Sequence, residues 1–304
     1  MYSWDDSMED WARPGAYRFD SARAGARARE AHAAAAAGPR TYAVHRPDEA
    51  LTSPAKSLQS TSKNPLIVAV DVTGSMAHWP AEIFDRLPLL YNTLSQYRPD
   101  LEICFAAIGD AHCDRWPLQV TSFSRGFNLE TQLKAIYGEG GGGDEPESYE
   151  LFAWWVNHHV TLAPTEEKPF LIVFGDAPMH PKVKTAQVRD VIGDRPAQDS
   201  DGLAEWRALA TRYNAWFLRR PGRPGDHVDQ QWSQAVGEQH ILHIDDEKRA
   251  VDYAMGLIAR HWGCYADFQT NLAARQSSGT VARVDRGLEV ALTRRRGRTT
   301  RRAG

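Results

Sequence analysis

The most constraining feature of this sequence is an apolar run at 66–70 that stops abruptly at Asp71. Both faces of such a strand would be apolar, which is typical of parallel sheets covered by helices on each side. Residues 170–174 repeat the pattern and stop at Gly175-Asp176. The two runs therefore predict central strands of a mostly parallel sheet.

Segments with helical periodicity alternate with these strands. Ile83, Leu87, Leu90, Leu94 and Tyr97 follow one another at intervals of three or four residues, which predicts a helix with one apolar face. Further strands are expected at 101–108, 119–123, 215–218 and 241–244, and further helices at 128–137, 147–158, 181–192, 201–213 and 251–262. Strands that alternate with helices indicate βαβ units. We expect an α/β fold with a doubly wound, Rossmann-type sheet and helices on both faces.

The flanks of this region have a different composition. Residues 1–64 are interpreted as an N-terminal arm and linker, with a short helix at 22–37 and a linker at 53–64 that is rich in Ser, Thr and Lys. The domain itself is predicted at 65–265. Residues 266–304 lack sustained apolar periodicity, and we expect a mostly exposed C-terminal extension. Both extensions are predicted to be flexible.

Charge and cysteine usage limit the classes of function. The net charge is −3, although residues 281–304 contain eight Arg and two acidic residues. That basic tail could contact nucleic acid, but no aromatic residues are interleaved for base stacking. Three Cys without CxxC spacing argue against a disulfide framework. Neither an apolar run of 18 residues nor a secretory signal is found, so we expect a cytoplasmic protein without a membrane span.

Polar clusters follow the predicted central strands. Asp71, Thr73 and Ser75 are spaced at i, i+2 and i+4, so one turning loop can present three oxygen atoms. Asp176 follows the second central strand, and the carboxyl ends of parallel strands share one edge of the sheet. Carboxylate and hydroxyl oxygens suit Mg²⁺, with Mn²⁺ or Ca²⁺ as alternatives. A glycine run at 140–143 precedes Asp144, which is a further candidate ligand.

The Asp-x-Thr-Gly-Ser motif at Asp71 resembles the metal-ion-dependent adhesion site (MIDAS) of von Willebrand factor A domains, and the order of elements over 65–263 is similar to that fold. The resemblance implies that Asp71, Thr73, Ser75 and Asp176 surround the metal. The family's second-loop Thr is replaced here by Asp144, with Thr131 as an alternative. This departure is closer to a bacterial intracellular branch of the family. Asp144 could instead cap the next helix.

The resemblance implies a binding module rather than an enzyme. A metal position that the protein leaves open would accept a carboxylate from a protein partner, within an assembly that could contain an ATPase. The alternative is a Mg²⁺- or Mn²⁺-dependent hydrolase or phosphotransfer enzyme with His112 or Glu147 as base. The sequence supplies no second metal set and no positioned nucleophile for that chemistry. His112, Cys113 and Asp114 are expected at the rim of the metal-binding face.

Overall fold

The computed structural model describes residues 46–143 and 145–299, with side chains as far as residue 289. The strands are β1 Leu58–Ser60, β2 Pro65–Asp71, β3 Glu102–Ile108, β4 Leu118–Val120, β5 Val160–Leu162, β6 Phe170–Gly175, β7 Lys182–Val183, β8 Ser200–Asp201, β9 Asn214–Arg219 and β10 Ile241–His243. The α-helices are α1 Glu49–Thr52, α2 Trp79–Phe84, α3 Leu87–Tyr97, α4 Phe127–Ala135, α5 Tyr149–His159, α6 Thr185–Gln187, α7 Gly202–Arg212, α8 His227–Ala235, α9 Ala250–His261, α10 Tyr265–Arg275 and α11 Ser278–Thr299.

Six strands form the central sheet in the order β10-β9-β6-β2-β3-β4. The first five are parallel, and β4 pairs antiparallel with β3 at the edge. Strand β2 lies in the middle, where Val68 is opposite Phe105 of β3 and Ile172 of β6. The prediction of a doubly wound, mostly parallel sheet is confirmed.

Helices cover both faces of the sheet, as predicted. Leu66, Val68 and Val70 of β2 contribute to one buried cluster, together with apolar residues of α3 and α9. The alternating residues Ile67 and Ala69 contribute to a second cluster, together with residues of α5, α7 and α8. Successive side chains of a strand point to opposite faces, so a strand inside two helical layers must be apolar throughout.

Two of the predicted helices have a different form in the structure. The apolar stripe beginning at Ile83 is divided between α2 and α3, each of which has a proline, Pro80 or Pro88, in its first turn. Proline lacks the backbone N–H and favours the start of a helix, so it favours a break here. The helix expected at 181–192 is instead strand β7, helix α6 and a π-helical turn over Val188–Ile192.

The flanks contribute more structure than the sequence suggested. The expected linker at 53–64 contains β1, which pairs with β5. Most described residues of 266–289 are exposed or half-buried, as expected, but Phe268, Leu272, Val284 and Leu288 of α10 and α11 are buried in the same core as α9. The division of the chain at residues 65 and 265 stays a prediction. The helix expected at 22–37 and the last five residues of the basic tail lie outside the described residues.

Within the part of the chain that the structure describes, no helix combines the length and the apolarity needed to cross a membrane.

Candidate metal centre

The winding of the sheet reverses at β2. From this strand the sheet extends through β3 on one side and through β6 on the other. Loops that leave neighbouring strands at such a switch point turn in opposite directions and open a crevice at the carboxyl edge, where ligands of doubly wound proteins bind. Asp71 is the last residue of β2, and Asp176 comes directly after β6. The topology therefore places both carboxylates at this crevice.

The first loop is organised around Asp71, whose side chain is fully buried. Its Oδ1 accepts hydrogen bonds from the backbone N–H of Thr73 at 2.9 Å and from the Thr73 hydroxyl at 2.6 Å. Its Oδ2 accepts a hydrogen bond from the Tyr149 hydroxyl. Both carboxylate oxygens of Asp71 are thus held in fixed positions.

Hydroxyl groups continue this network to the second strand. The Thr73 and Ser75 hydroxyl oxygens are 3.3 Å apart, and the Ser75 hydroxyl donates to Asp176 Oδ1 at 2.8 Å. Four of the predicted ligands, Asp71, Thr73, Ser75 and Asp176, therefore lie along one chain of hydrogen bonds. Ser75 is exposed, whereas Asp71 and Thr73 are buried. The oxygens consequently lie at the boundary between the core and the solvent. Coordination of a metal by these residues stays a prediction.

The electrostatics of the site favour a cation. Burial, followed by the charge of Asp176, raises the pKa of Asp71 to about 7 in the metal-free protein. A divalent ion would relieve the repulsion between the two carboxylates. Arg220 partly offsets the negative charge of Asp176, because its Nη1 lies 3.3 Å from Asp176 Oδ2.

Glu147 is a carboxylate at this site that the sequence analysis considered only as an enzymatic base. It is 2 % exposed, and its Oε2 has no hydrogen-bond partner among the described residues. Burial, followed by the charge of Asp71, raises the pKa of Glu147 to about 9, while a hydrogen bond involving Thr73 acts in the opposite direction. A buried carboxylate oxygen without a partner is unfavourable unless it accepts a proton or binds a cation.

The glycine run brings the backbone against these residues. Gly142 has a φ of 92°, and a Cβ atom there would lie 3.1 Å from Glu147 Oε1 and 3.5 Å from the Thr73 Cβ. The Gly74 N–H donates to the Gly141 carbonyl at 2.7 Å, which ties the first loop to the glycine run. Glycine is needed at 142 for both the conformation and the close approach.

The two other candidate ligands have different outcomes. Asp144 lies outside the described residues. Thr131 is exposed within α4. The resemblance offered Asp144 or Thr131 for the second loop, whereas the structure brings Glu147 next to Thr73.

Tyr149 is the second residue that the sequence analysis missed. It is fully buried in the first turn of α5, and its ring packs edge-on against Trp232 and Phe217. A Cβ atom at position 175 would lie 2.1 Å from the Tyr149 hydroxyl oxygen, so Gly175 provides the space that this hydroxyl occupies beside Asp71. The only signal in the sequence was the position of Tyr149 in the helix after the glycine run.

The donor set fits a hard divalent cation. Carboxylate and hydroxyl oxygens from three loops converge, and one buried carboxylate oxygen lacks a partner among the described residues. Such oxygens are the ligands that Mg²⁺, Mn²⁺ and Ca²⁺ prefer. The residues that could hold the ion are Asp71, Thr73, Ser75 and Asp176. The buried carboxylate of Glu147 lies close to Thr73.

No known family model matches the sequence, and no curated protein matches it. Among solved structures, the fold is similar to proximal thread matrix protein 1 from the mussel byssus, with a TM-score of 0.47 and 9% identity over 68% of this chain and 49% of that chain. The pilus adhesin SpaC from Lactobacillus rhamnosus GG matches with a TM-score of 0.47 and 9% identity over 71% of this chain and 31% of that chain. The VWA domain of SpRpn10 matches with a TM-score of 0.41 and 10% identity over 62% of this chain and 94% of that chain.

A further structure of the mussel protein is described as having a zinc-occupied MIDAS motif, with a TM-score of 0.45 and 10% identity over 70% of this chain and 49% of that chain. The chain thus spans half or less of the mussel and pilus proteins that it resembles. The doubly wound class of its fold follows from the order and winding of its own strands.

Proposed function

We propose that this chain binds one divalent cation, Mg²⁺, at the switch point and uses the ion to bind a protein partner. The observation that carries the proposal is the hydrogen-bond chain from Asp71 through Thr73 and Ser75 to Asp176. It links four oxygen-bearing side chains at the carboxyl ends of two neighbouring strands. Glu147 Oε2, which has no hydrogen-bond partner within the described part of the chain, supports a cation at the same place.

The charges of the site favour an anionic group on the partner. Asp71 and Asp176 together would neutralise a divalent ion. Arg220 adds a positive charge 3.3 Å from Asp176, and its side chain is 28% exposed. Ser75 is also exposed, so the approach to the ion is open to solvent. An Asp or Glu side chain of a partner would complete the coordination of the ion and would be attracted by Arg220.

Metal binding is tested first, by calorimetric titration of the metal-free protein with Mg²⁺ and Mn²⁺. We expect one Mg²⁺ site in the wild type and none in Asp71→Ala. Partner binding is tested by affinity capture in the presence of Mg²⁺ or a chelator. A genuine partner should be retained with Mg²⁺, released by the chelator, and absent with Ser75→Ala. Failure of the wild type to bind either metal at millimolar concentration would overturn the proposal.

The alternative is a Mg²⁺- or Mn²⁺-dependent hydrolase or phosphotransfer enzyme, with Glu147 or His112 as base. Glu147 is buried, and the His112 ring packs against His180 rather than standing free. We therefore favour binding over turnover. A panel of phosphate esters and nucleic acids, with the Asp71→Ala variant as control, tests the alternative. That the partner belongs to an assembly with an ATPase, and that the chain acts in the bacterial cytoplasm, are further predictions.

A further inference from the structure

A second group of potential metal ligands lies outside the switch-point site. Asp110, His112 and His180 each offer one ligand atom, and these atoms all lie within 4.8 Å of one another. Asp110 and His112 belong to the loop after β3, and His180 belongs to the loop after β6. The two loops lie on the same edge of the sheet, so the fold brings together residues that are 70 positions apart.

The distances between the ligand atoms are close to those of a bound transition ion. His180 Nε2 lies 2.9 Å from Asp110 Oδ1, and His112 Nδ1 lies 3.6 Å from the same oxygen. Zinc binds nitrogen and oxygen at about 2.0–2.2 Å, so tetrahedral ligand atoms lie roughly 3.3–3.5 Å apart. The two observed distances lie on either side of this range. The ring centroids of His112 and His180 are 4.1 Å apart, and the ring planes are nearly perpendicular.

The surroundings hold two of the three ligands in place. The Asp110 side chain is fully buried, and it accepts hydrogen bonds from the Ser148 hydroxyl at 3.2 Å and the Cys113 thiol at 3.0 Å. His180 is 5 % exposed, and its backbone N–H donates to Glu150 Oε2 at 3.1 Å. Outer hydrogen bonds to a ligating carboxylate, like those to Asp110, orient metal ligands in proteins. His112 is exposed, so the third ligand reaches the group from the solvent side.

We propose that Asp110, His112 and His180 bind a first-row transition ion, with Zn²⁺ as the best fit, through two imidazole nitrogens and one carboxylate. Imidazole ligands distinguish this site from the oxygen-only site at the switch point, because they suit Zn²⁺, Cu²⁺ or Fe²⁺ better than Mg²⁺. Three protein ligands leave one coordination position of a tetrahedral ion open on the solvent side.

The proposed ion would join two loops that flank the switch point. The Asp110 loop is also tied to the glycine run, because Asp114 accepts hydrogen bonds from the backbone N–H groups of Asp110 at 2.8 Å and Gly142 at 3.1 Å. An ion between Asp110 and His180 would therefore brace the backbone that approaches Glu147. The proposal uses none of Asp71, Thr73, Ser75 or Asp176, so it stands independently of Mg²⁺ binding.

The test uses the full-length, metal-free protein, titrated with Co²⁺ as a spectroscopic probe and with Zn²⁺ by calorimetry. We expect the visible absorption of low-symmetry, nitrogen-ligated Co²⁺, displaced by one equivalent of Zn²⁺. His112→Gln should lower the Zn²⁺ affinity by about tenfold or more and remove the absorption. Because His112 is exposed, the variant should keep the wild-type fold, which circular dichroism checks.

Two control variants separate this site from other histidines and from the switch point. His227 is exposed and lies 2.8 Å from the Glu145 carboxylate, so His227→Gln removes a similar surface pair and should leave the absorption unchanged. Ser75→Ala should also leave it unchanged. Loss of the Co²⁺ absorption in Ser75→Ala but not in His112→Gln would place the ion at the switch point and overturn the proposal. Equal Zn²⁺ binding by wild type and His112→Gln would overturn it as well.

Discussion

Ser75 and Asp176 are 101 residues apart in the sequence, yet the Ser75 hydroxyl donates a 2.8 Å hydrogen bond to Asp176 Oδ1. The contact joins the loop after β2 to the loop after β6. Those strands are direct neighbours in the sheet, with Val70 opposite Phe174 at their carboxyl ends. The hydrogen bond thus spans the switch point, and a metal ion there would take its ligands from both of these loops.

The first prediction concerns this serine. Ser75→Ala removes one oxygen ligand, and we expect the Mg²⁺ affinity to fall by about tenfold or more, since the ligand set tunes the affinity of hard-cation sites. The melting temperature without metal should change little, because Ser75 is exposed. Calorimetry measures the affinity, and Ser233→Ala, a half-buried serine of α8, is the control. Unchanged Mg²⁺ affinity in Ser75→Ala would remove this residue from the site.

The second prediction uses the buried carboxylate of Glu147. Its pKa is raised to about 9, so the folded metal-free protein favours the protonated form. Its contribution to stability therefore decreases as the pH rises from about 4.5 toward 9. Glu147→Gln should remove this decrease and raise the free energy of unfolding at pH 8 by roughly 1–3 kcal/mol, because folding of the wild type at that pH must protonate a carboxylate that is ionised in the unfolded chain, whereas glutamine is neutral in both states. Chemical denaturation at several pH values measures the effect.

Glu147→Gln should have the opposite effect on stability when Mg²⁺ is present. If Glu147 supports the ion, Glu147→Gln should reduce the rise in melting temperature that Mg²⁺ produces. Glu150→Gln is a matched control, because Glu150 is also buried and its Oε1 has no partner in the described ranges, but its Oε2 accepts a hydrogen bond from the His180 backbone N–H. It should leave the effect of Mg²⁺ unchanged. An undiminished Mg²⁺ response in Glu147→Gln would show that Glu147 does not assist metal binding.

The sequence predicted the central strands and the residues that directly follow them, because a strand buried on both faces must be apolar and must end where polar groups begin. Asp71, Thr73 and Ser75 share one loop, so their spacing was enough to group them. Glu147 was not grouped with them because its position depends on tertiary contacts. Its backbone N–H donates to the Pro178 carbonyl at 2.9 Å, which no local pattern encodes.

The flanks show a second limit of sequence patterns. Residues 266–304 have weak periodicity, and only a few apolar side chains on α10 and α11 reach the core. A helix that is mostly polar can still pack when its few apolar residues meet a matching surface, and α9 provides one. At 181–192 the local helical signal was overridden by the pairing of β7 with β8.

The third prediction concerns the fit of Tyr149 against Gly175. A Cβ atom at position 175 would lie 2.1 Å from the Tyr149 hydroxyl oxygen and 2.9 Å from its ring carbon Cζ. Gly175→Ala should therefore destabilise the protein by about 1–3 kcal/mol through overpacking. Tyr149→Phe removes the closer atom, so the double variant should be less destabilised than the sum of the two single changes. Additive changes in the unfolding free energy would show that the two positions do not compete for space.

The fourth prediction is a dependence of stability on acid pH away from the metal site. Hydrogen bonds from Arg219, whose side chain is 3% exposed, lower the pKa of Asp226 to about 2. A carboxyl group with a lowered pKa contributes stability above its unfolded value near 4, and this contribution is lost as the pH falls toward 2. Asp226→Asn should therefore weaken the protein at pH 6 and flatten its acid unfolding curve between about pH 4 and 2.

Asp190→Asn is the control for that experiment. Asp190 also has an arginine partner, Arg189, and a lowered pKa, but both side chains are largely exposed to solvent. Exposed ion pairs contribute little to stability. The acid unfolding curve of Asp190→Asn should match that of the wild type. A flattening as large as in Asp226→Asn would show that burial of the arginine partner does not increase the contribution of the ion pair to stability.

The last prediction tests whether α11 belongs to the folded unit. Val284 and Leu288 are buried against α9, and a Cβ atom at Gly256 would lie 2.5 Å from Leu288 Cδ1, so the two helices pack closely. Burying an aliphatic side chain contributes about 1.5–3 kcal/mol. Deletion of residues 278–304 should therefore lower the unfolding free energy by roughly 3 kcal/mol or more, whereas a chain ending at residue 289 keeps both side chains and should melt near the wild-type temperature. Equal melting temperatures for both truncations would show that the buried contacts of α11 contribute nothing to the stability of the domain.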